Sequence, residues 1–185
     1  MPVRTKTDSR TATECAVLGL LATGGELSGY DLQKRIEGSV GYFWAPVRSQ
    51  IYAVLPGLVE GGFVRRRDVA QADRPDKQLY RVTPRGKRAL REWLEAAPLP
   101  PEPDRNVLLL KVFFGDLMAP EALLEQIRQR RREVEELQAR LREIEARSSC
   151  RPSDFHPALT RKYGLRYAGA IIRWAKEAER ELLAR

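Results

Sequence analysis

The chain has 185 residues, 43% of them apolar, enough for one domain with a full core or for two smaller ones. Its net charge is +8 and its sequence pI is near 9.8, a balance that speaks of polyanionic partners, nucleic acid or an anionic lipid surface, and not of fold. No run approaches the roughly 18 apolar residues of a membrane span. The opening "MPVRTKTDSRT" lacks the apolar centre of a signal peptide, and Cys15 and Cys150 belong to no CxxC, so the expectations are a cytoplasmic location and no zinc site.

The first helix is predicted from "TATE", where Thr11 caps and Glu14 reaches back to it. Cys15, Leu18 and Leu21 share its apolar face, Cys15 as a small hydrophobe, and Gly24-Gly25 ends it. "LSGYDLQKRIEG" repeats the pattern, with Ser28 as cap, Asp31 in the first turn, Leu32 and Ile36 inward and Gly38 as the stop. After "VGYFWAP", a third helix runs from Pro46 or Val47 to Glu60 on the period of Ile51, Leu55, Leu58 and Val59. Pro56 lies inside it, at a cost of up to about 3 kcal/mol in an ordinary helix interior, but the apolar pattern continues past it. Gly61-Gly62 supplies a left-handed stop.

At Phe63 the period changes to two. "FVRRRDV" and "KQLYRVT" flank the polar "AQADRPD", which predicts a hairpin with a longish loop. "TPRGKRALREWLEA" follows as a helix capped by Thr83, with Pro84 at its first position and Leu90, Trp93 and Leu94 on its apolar face. Helix, helix, helix, hairpin, helix is the element order of a winged helix-turn-helix. The proline-rich "AAPLPPEPDRN" then separates residues 10–97 from a second, helical domain over 98–185, and the fold class is mainly α.

Within the second half, "NVLLLKVFFGDL" is almost wholly apolar and is expected to be buried. Pro120 opens a long helix in which Val134, Leu137, Leu141 and Ile144 alternate three and four apart. Leu123 and Ile127 extend the seam backward and Arg130 interrupts it, so partner-helix packing is expected. The final helix carries Tyr163, Tyr167, Ile171, Trp174 and Ala178 on one face, and Gly164 and Gly169 lower its helicity by about 1 kcal/mol each relative to Ala. The seam together with Tyr167, Ile171 and Trp174 forms the candidate dimerisation set.

The charge is concentrated. Residues 65–91 hold 10 basic and 3 acidic side chains, a net +7, in the hairpin and the helix after it. The block Arg130 to Arg132 is followed by Glu133, Glu135 and Glu136 and reads as a mixed, solvated surface. A basic hairpin beside a two-helix turn is the footprint of a duplex binder, with the helix in the major groove and the hairpin along the phosphates. At the front of the third helix, Arg48 suits guanine and Gln50 adenine through two bonds each, while Ser49 and Tyr52 suit phosphate.

The stretches "AVLGLLATGGELSGYDLQKRIE", "FW", "SQIYAVLPGLVEGGFV" and "LYRVTPRGKRALREWL" together resemble the PadR family of bacterial transcriptional regulators. The second half looks like the larger C-terminal domain of the branch that includes virulence regulators. The resemblance implies a homodimer, joined through its C-terminal helices, that binds inverted-repeat operators with two winged helices. It implies Tyr30 and Tyr52 at DNA-facing turn positions, Ser49 and Gln50 on the recognition helix, and Arg74 and Lys77 in the wing. The candidate DNA-facing set is Ser28, Tyr30, Arg48, Ser49, Gln50, Tyr52, Arg65, Arg66, Arg67, Arg74 and Lys77. Where the family often caps its recognition helix with Ser or Thr, this chain has Val47.

No catalytic inventory competes with this reading. His156 is the sole histidine and has no second ligand or nucleophile beside it, and no Walker loop, GxGxxG or HExxH is present. No cofactor is expected. Phe43, Trp44 and Trp93, with Tyr42, could line a pocket for a flat aromatic effector, although such residues in small helical proteins more often build core or interface. The rival from another class is a helical protein-interaction adaptor working through the seam from Val134 to Ile144.

Overall fold

The computed structural model describes residues 10–70, 77–96, 106–148 and 154–184; Arg74 and Cys150 lie outside the described residues. Helix α1 (Ala12–Gly24) starts at a complete capping box, the Thr11 N–H donating to Glu14 Oε2 (2.8 Å) and the Glu14 N–H donating to Thr11 Oγ1 (3.2 Å). It ends where Gly25, at φ +78°, donates its N–H to the Leu21 carbonyl. A two-residue strand, β1 (Leu27–Ser28), comes next, and no pattern in the sequence announces it. Helix α2 (Gly29–Glu37) then begins at Ser28.

Helix α3 (Arg48–Glu60) runs through the exposed Pro56 without a break. Gly62, at φ +69°, turns the chain into strand β2 (Val64–Val69). Strand β3 (Lys77–Val82) pairs antiparallel with both others, giving the order β1-β3-β2. Helix α4 (Pro84–Glu95) closes this part. Thr83 fastens its start: Thr83 Oγ1 accepts from the Gly86 N–H (3.1 Å) and donates to the Gly62 carbonyl (2.8 Å), and the Thr83 N–H donates to the Phe63 carbonyl (2.9 Å). A Cβ on Gly86 would collide with that same Phe63 carbonyl, so the glycine is what lets α4 lie against the turn before β2.

The core of this winged helix-turn-helix is built from α1 (Val17, Leu18, Leu21), α2 (Leu32, Ile36), α3 (Ile51, Leu55, Leu58) and the hairpin base (Phe63, Val64, Tyr80). These are the apolar faces expected from periodicity. Helix α4 departs in part: Leu90 packs on this core, whereas Trp93 and Leu94 are exposed.

The chain divides into two compact units, Met1–Pro100 and Pro101–Arg185. The second contains α5 (Val107–Phe113), a 3-10 turn (Gly115–Leu117), and the long helices α6 (Pro120–Arg147) and α7 (Phe155–Leu183). Helices α6 and α7 form an antiparallel pair. Leu123 and Ile127 meet Ala175, Val134 meets Ala168 and Ile172, and Arg161 lies 3.9 Å from Glu145 at the other end. The seam therefore closes within one chain: Leu123, Ile127, Val134 and Leu141 are buried, and Leu137 and Ile144 are half-buried. Glu179 of α7 clamps the pair by accepting from Arg131 Nε (2.7 Å) and lying 3.6 Å from Arg128 Nε, so Arg131 is not the freely solvated charge that its neighbours suggest.

Two expectations are corrected here. The buried stripe of α7 is Arg161, Gly164, Ala168, Ile172 and Ala175, while Tyr163 and Tyr167 stack on each other at the exposed side. Small residues carry little hydropathy, yet they are what allows α6 to approach. The second correction concerns α5. Leu108 and Val112 pack against α6 and α7, but Leu109, Leu110, Phe113 and Leu117 are exposed, Phe113 to 80%. Among the described residues this apolar face stays uncovered.

Candidate nucleic-acid interface

Helices α2 and α3 form the helix-turn-helix, and one contact sets how they meet. The Tyr52 ring rests on Gly29, the first residue of α2, where a Cβ would come within 2.8 Å of its Cε1 and Cζ. Tyr52 stays partly exposed, and the Arg48 guanidinium lies 5.4 Å from its ring centroid. Arg48, Ser49 and Gln50 are all exposed on the first turn of α3, and Tyr30 is exposed on α2 with Lys34 Nζ 4.9 Å above its ring.

The start of α3 solves the missing cap in an unexpected way. Val47 has no side-chain acceptor, and Gln50 Oε1 folds back to accept the Val47 N–H at 3.1 Å. This is the returning half of a capping box on its own. The amide oxygen of Gln50 is thereby occupied, and its NH2 group makes no hydrogen bond among the described residues.

Ser28 and Asp31 form the full version at α2. Ser28 is buried, its hydroxyl donates to Asp31 Oδ2 (2.6 Å), and its N–H donates to the same oxygen (3.1 Å). These bonds from Ser28, with Lys77 Nζ at 3.2 Å, hold the Asp31 carboxyl below the usual carboxylate range. The hydroxyl of Ser28 thus serves the helix start, and Lys77 ties strand β3 to the same point.

The hairpin register pairs Val64 with Val82 and Arg66 with Tyr80 on the core side, which places Arg65, Arg67 and Arg81 on the opposite face. Arg65 and Arg81 are direct cross-strand partners, an unfavourable like-charge pairing in a bare sheet. Sequence reasoning misses Arg81, because only the register shows that it stands beside Arg65. Of the predicted wing cations, Arg66 lies 3.5 Å from Asp68, Arg67 2.8 Å from Glu26 and Lys77 3.2 Å from Asp31. Arg65 makes no salt bridge among the described residues. Phe43 is exposed, and Trp44 is half-buried with its indole N–H enclosed and without an acceptor among the described residues, as is the Tyr42 hydroxyl. Among the described residues no cluster of His, Cys, Asp and Glu could hold a metal ion, and no helix is long and apolar enough to cross a membrane.

Residues 17–92 match the model of the transcriptional regulator PadR-like family, and residues 105–182 match that described as virulence activator alpha C-term. Over 144 residues, 76% of this chain and 78% of that protein, the sequence is 33% identical to the negative transcriptional regulator PadR of Bacillus subtilis. The chain belongs to the PadR family. It is a family of transcriptional regulators, not of enzymes. The PadR-family fold is matched over nearly its whole length by solved structures. Bacillus subtilis PadR in complex with operator DNA is 26% identical, with a TM-score of 0.79 over 93% of this chain and 99% of that one. The same protein in complex with p-coumaric acid is 27% identical, with a TM-score of 0.72 over 93% and 99%. The virulence activator AphA of Vibrio cholerae is 28% identical, with a TM-score of 0.72 over 94% and 99%. The first half and the second half resemble these relatives together, in the same order.

Proposed function

We propose that the chain acts in the cytoplasm as a homodimer that binds inverted-repeat operators in duplex DNA and represses the genes beside them. Residues 10–97 serve as the DNA-binding domain and residues 98–185 as the dimerisation domain. The observation that carries this is the exposed first turn of α3, with Arg48, Ser49 and Gln50, on the same small unit as an arginine-rich strand β2. A major groove admits such a helix, and phosphates suit such a strand. Operator binding by Bacillus subtilis PadR supports the reading, and its description as a negative regulator supports repression.

In this account Arg48 is the principal base reader, and Gln50 reads through its NH2 group while its oxygen holds the helix start. Tyr30 and Tyr52 flank the groove. Arg65, Arg66, Arg67, Arg74 and Lys77 lie along phosphates, and Arg81 is added to them. Dimerisation is assigned to the apolar surface that one chain leaves uncovered: Leu109, Leu110 and Phe113 of α5, and the outer side of α7 around Tyr167, with Ile171 and Trp174 at its edge. The adaptor alternative loses its ground, because its seam is already filled by α7.

The test is a salt-titrated gel shift with the region upstream of the protein's own gene. Joint replacement of Arg65, Arg66 and Lys77 by Gln weakens binding to specific and random duplexes alike. It also flattens the salt dependence by roughly 0.9 for each phosphate that is no longer neutralised. Equal binding by wild type and this variant at every salt concentration counts against the assignment.

An aromatic effector is a second element of the reading, favoured by the p-coumaric acid complex of Bacillus subtilis PadR and by the two enclosed donors at Tyr42 and Trp44 beside Phe43. With Trp93 they form the candidate pocket set. A thermal-shift screen with phenolic acids tests it, and stabilisation by none of them removes it.

A further inference from the structure

We propose that Glu26 is an intramolecular counter-charge that DNA phosphate must displace from Arg67, so that Glu26 sets the overall strength of duplex binding. The inference rests on the DNA-binding reading above and deepens it.

Glu26 directly precedes β1, whose Leu27 pairs with Tyr80, so it comes level with Arg81, which in turn pairs with Arg65. One carboxylate therefore stands at the end of a row of two guanidinium groups. The third, Arg67, reaches it across the sheet. Arg67 Nη2 donates to Glu26 Oε2 at 2.8 Å and Nε faces Oε1 at 3.5 Å, a fork on two oxygens. The hydrogen bond from Arg67 is the chief reason that the Glu26 carboxyl stays below its ordinary range, with the charges of Arg67 and Arg81 adding to it.

A phosphodiester offers an arginine the same two-oxygen geometry that a carboxylate does. The Arg67–Glu26 contact is thus chemically the contact that Arg67 would make with DNA, made in advance to the chain itself. Both side chains are solvent-accessible, so the bond is open to exchange rather than locked. Glu26 makes no other hydrogen bond among the described residues, whereas Asp31, which holds Lys77, also caps α2. Removing Glu26 therefore changes the wing charge without changing a helix start, which removing Asp31 would not.

The experiment measures binding of the full-length protein to a random-sequence duplex of roughly 30 base pairs, long enough for two half-sites one turn apart, across a salt series. Glu26→Gln keeps the shape and removes the charge, and Glu26→Ala removes the acceptor. Removing the competitor spares the breaking of one exposed ion pair per protomer, a gain in affinity of roughly two- to fivefold for each wing on the duplex, with the salt slope little changed because Arg67 reaches phosphate in both proteins. Both variants show that gain, and neither shows it when Arg67 is also replaced by Gln. A gain that persists without Arg67 would mean a diffuse field effect and overturns the proposal, as does wild-type affinity in both variants. If the wild type itself binds no duplex, the DNA-binding reading falls and takes this one with it; if it binds and Glu26→Gln is silent, only this one falls.

Discussion

The phenol ring of Tyr52 lies against the backbone of Gly29, and the space it occupies is the space a side chain on residue 29 would need. The Gly-Tyr pair at the start of α2 and the Ile-Tyr pair in α3 are thus two halves of one contact. Replacing Gly29 by Ala forces the ring aside or opens the angle between the helices. The expected cost is about 1–3 kcal/mol, as for other overpacked sites, with a larger proportional loss of DNA affinity. Urea unfolding and duplex binding measured on the same protein check this. Gly29→Ala combined with Tyr52→Ala recovers most of the stability and none of the affinity.

Gln50 allows its two roles to be separated. Glu at position 50 still accepts the Val47 N–H but has no amide to donate. Gln50→Glu is therefore expected to keep the helix start, with stability changed by less than about 0.5 kcal/mol, while moving preference at one base pair of the half-site toward cytosine, whose N4 amine suits a carboxylate. Binding to a panel of duplexes varied at each position reads this directly. An unchanged preference removes Gln50 from the readers.

The exposed face of α5 predicts the behaviour of the oligomer. Asp in place of Leu110 or Phe113 puts a charge where the partner chain is expected, and sedimentation equilibrium should show a monomer with an intact helical spectrum. Asp in place of Val134, which is buried between α6 and α7, should instead unfold the second unit. Variants at positions 110 and 113 that remain dimeric would place the interface elsewhere.

Much of the fold is legible locally. Thr11, Ser28 and Thr83 mark helix starts because a cap is a contact across three residues, and the apolar faces of α1, α2 and α3 follow from a single period. The failures share a different cause. Strand β1 is too short to show any alternation, and it exists only because β3 pairs with it. Periodicity misplaces the inner stripe of α7 toward its tyrosines because the bulky apolar rings of Tyr163 and Tyr167 outweigh Gly164 and Ala168 in the pattern, while close helix contact selects the small residues. Apolar content in α5 predicts burial, and the structure leaves Leu109, Leu110 and Phe113 exposed, because composition does not show which face of a helix has a neighbour. The candidate site shows the same division: exposure of Arg48 and Ser49 is legible, but the return of Gln50 to its own backbone and the pairing of Arg65 with Arg81 depend on rotamer and register.

Cys15 gives a pH prediction. Burial is the main cause that lifts its thiol from 9.0 to about 11, with the charge of Glu14 adding to it. Between those values the unfolded chain has lost a proton that the folded chain keeps, so this contribution is full below pH 9 and declines as pH rises toward 11, by at most about 1.4 kcal/mol per pH unit. The stability difference between wild type and Cys15→Ala, followed by urea unfolding, should shrink over that window. A constant difference would mean that the thiol titrates normally.

In the proposed complex two copies of α3 enter one duplex in register with each other. Selection of bound duplexes from a random pool by the full-length protein, followed by sequencing, tests it most directly. The expected product is an inverted repeat whose half-sites are centred about 10 base pairs, or one helical turn, apart. Recovery of no enriched sequence, or of a single site without symmetry, would contradict it.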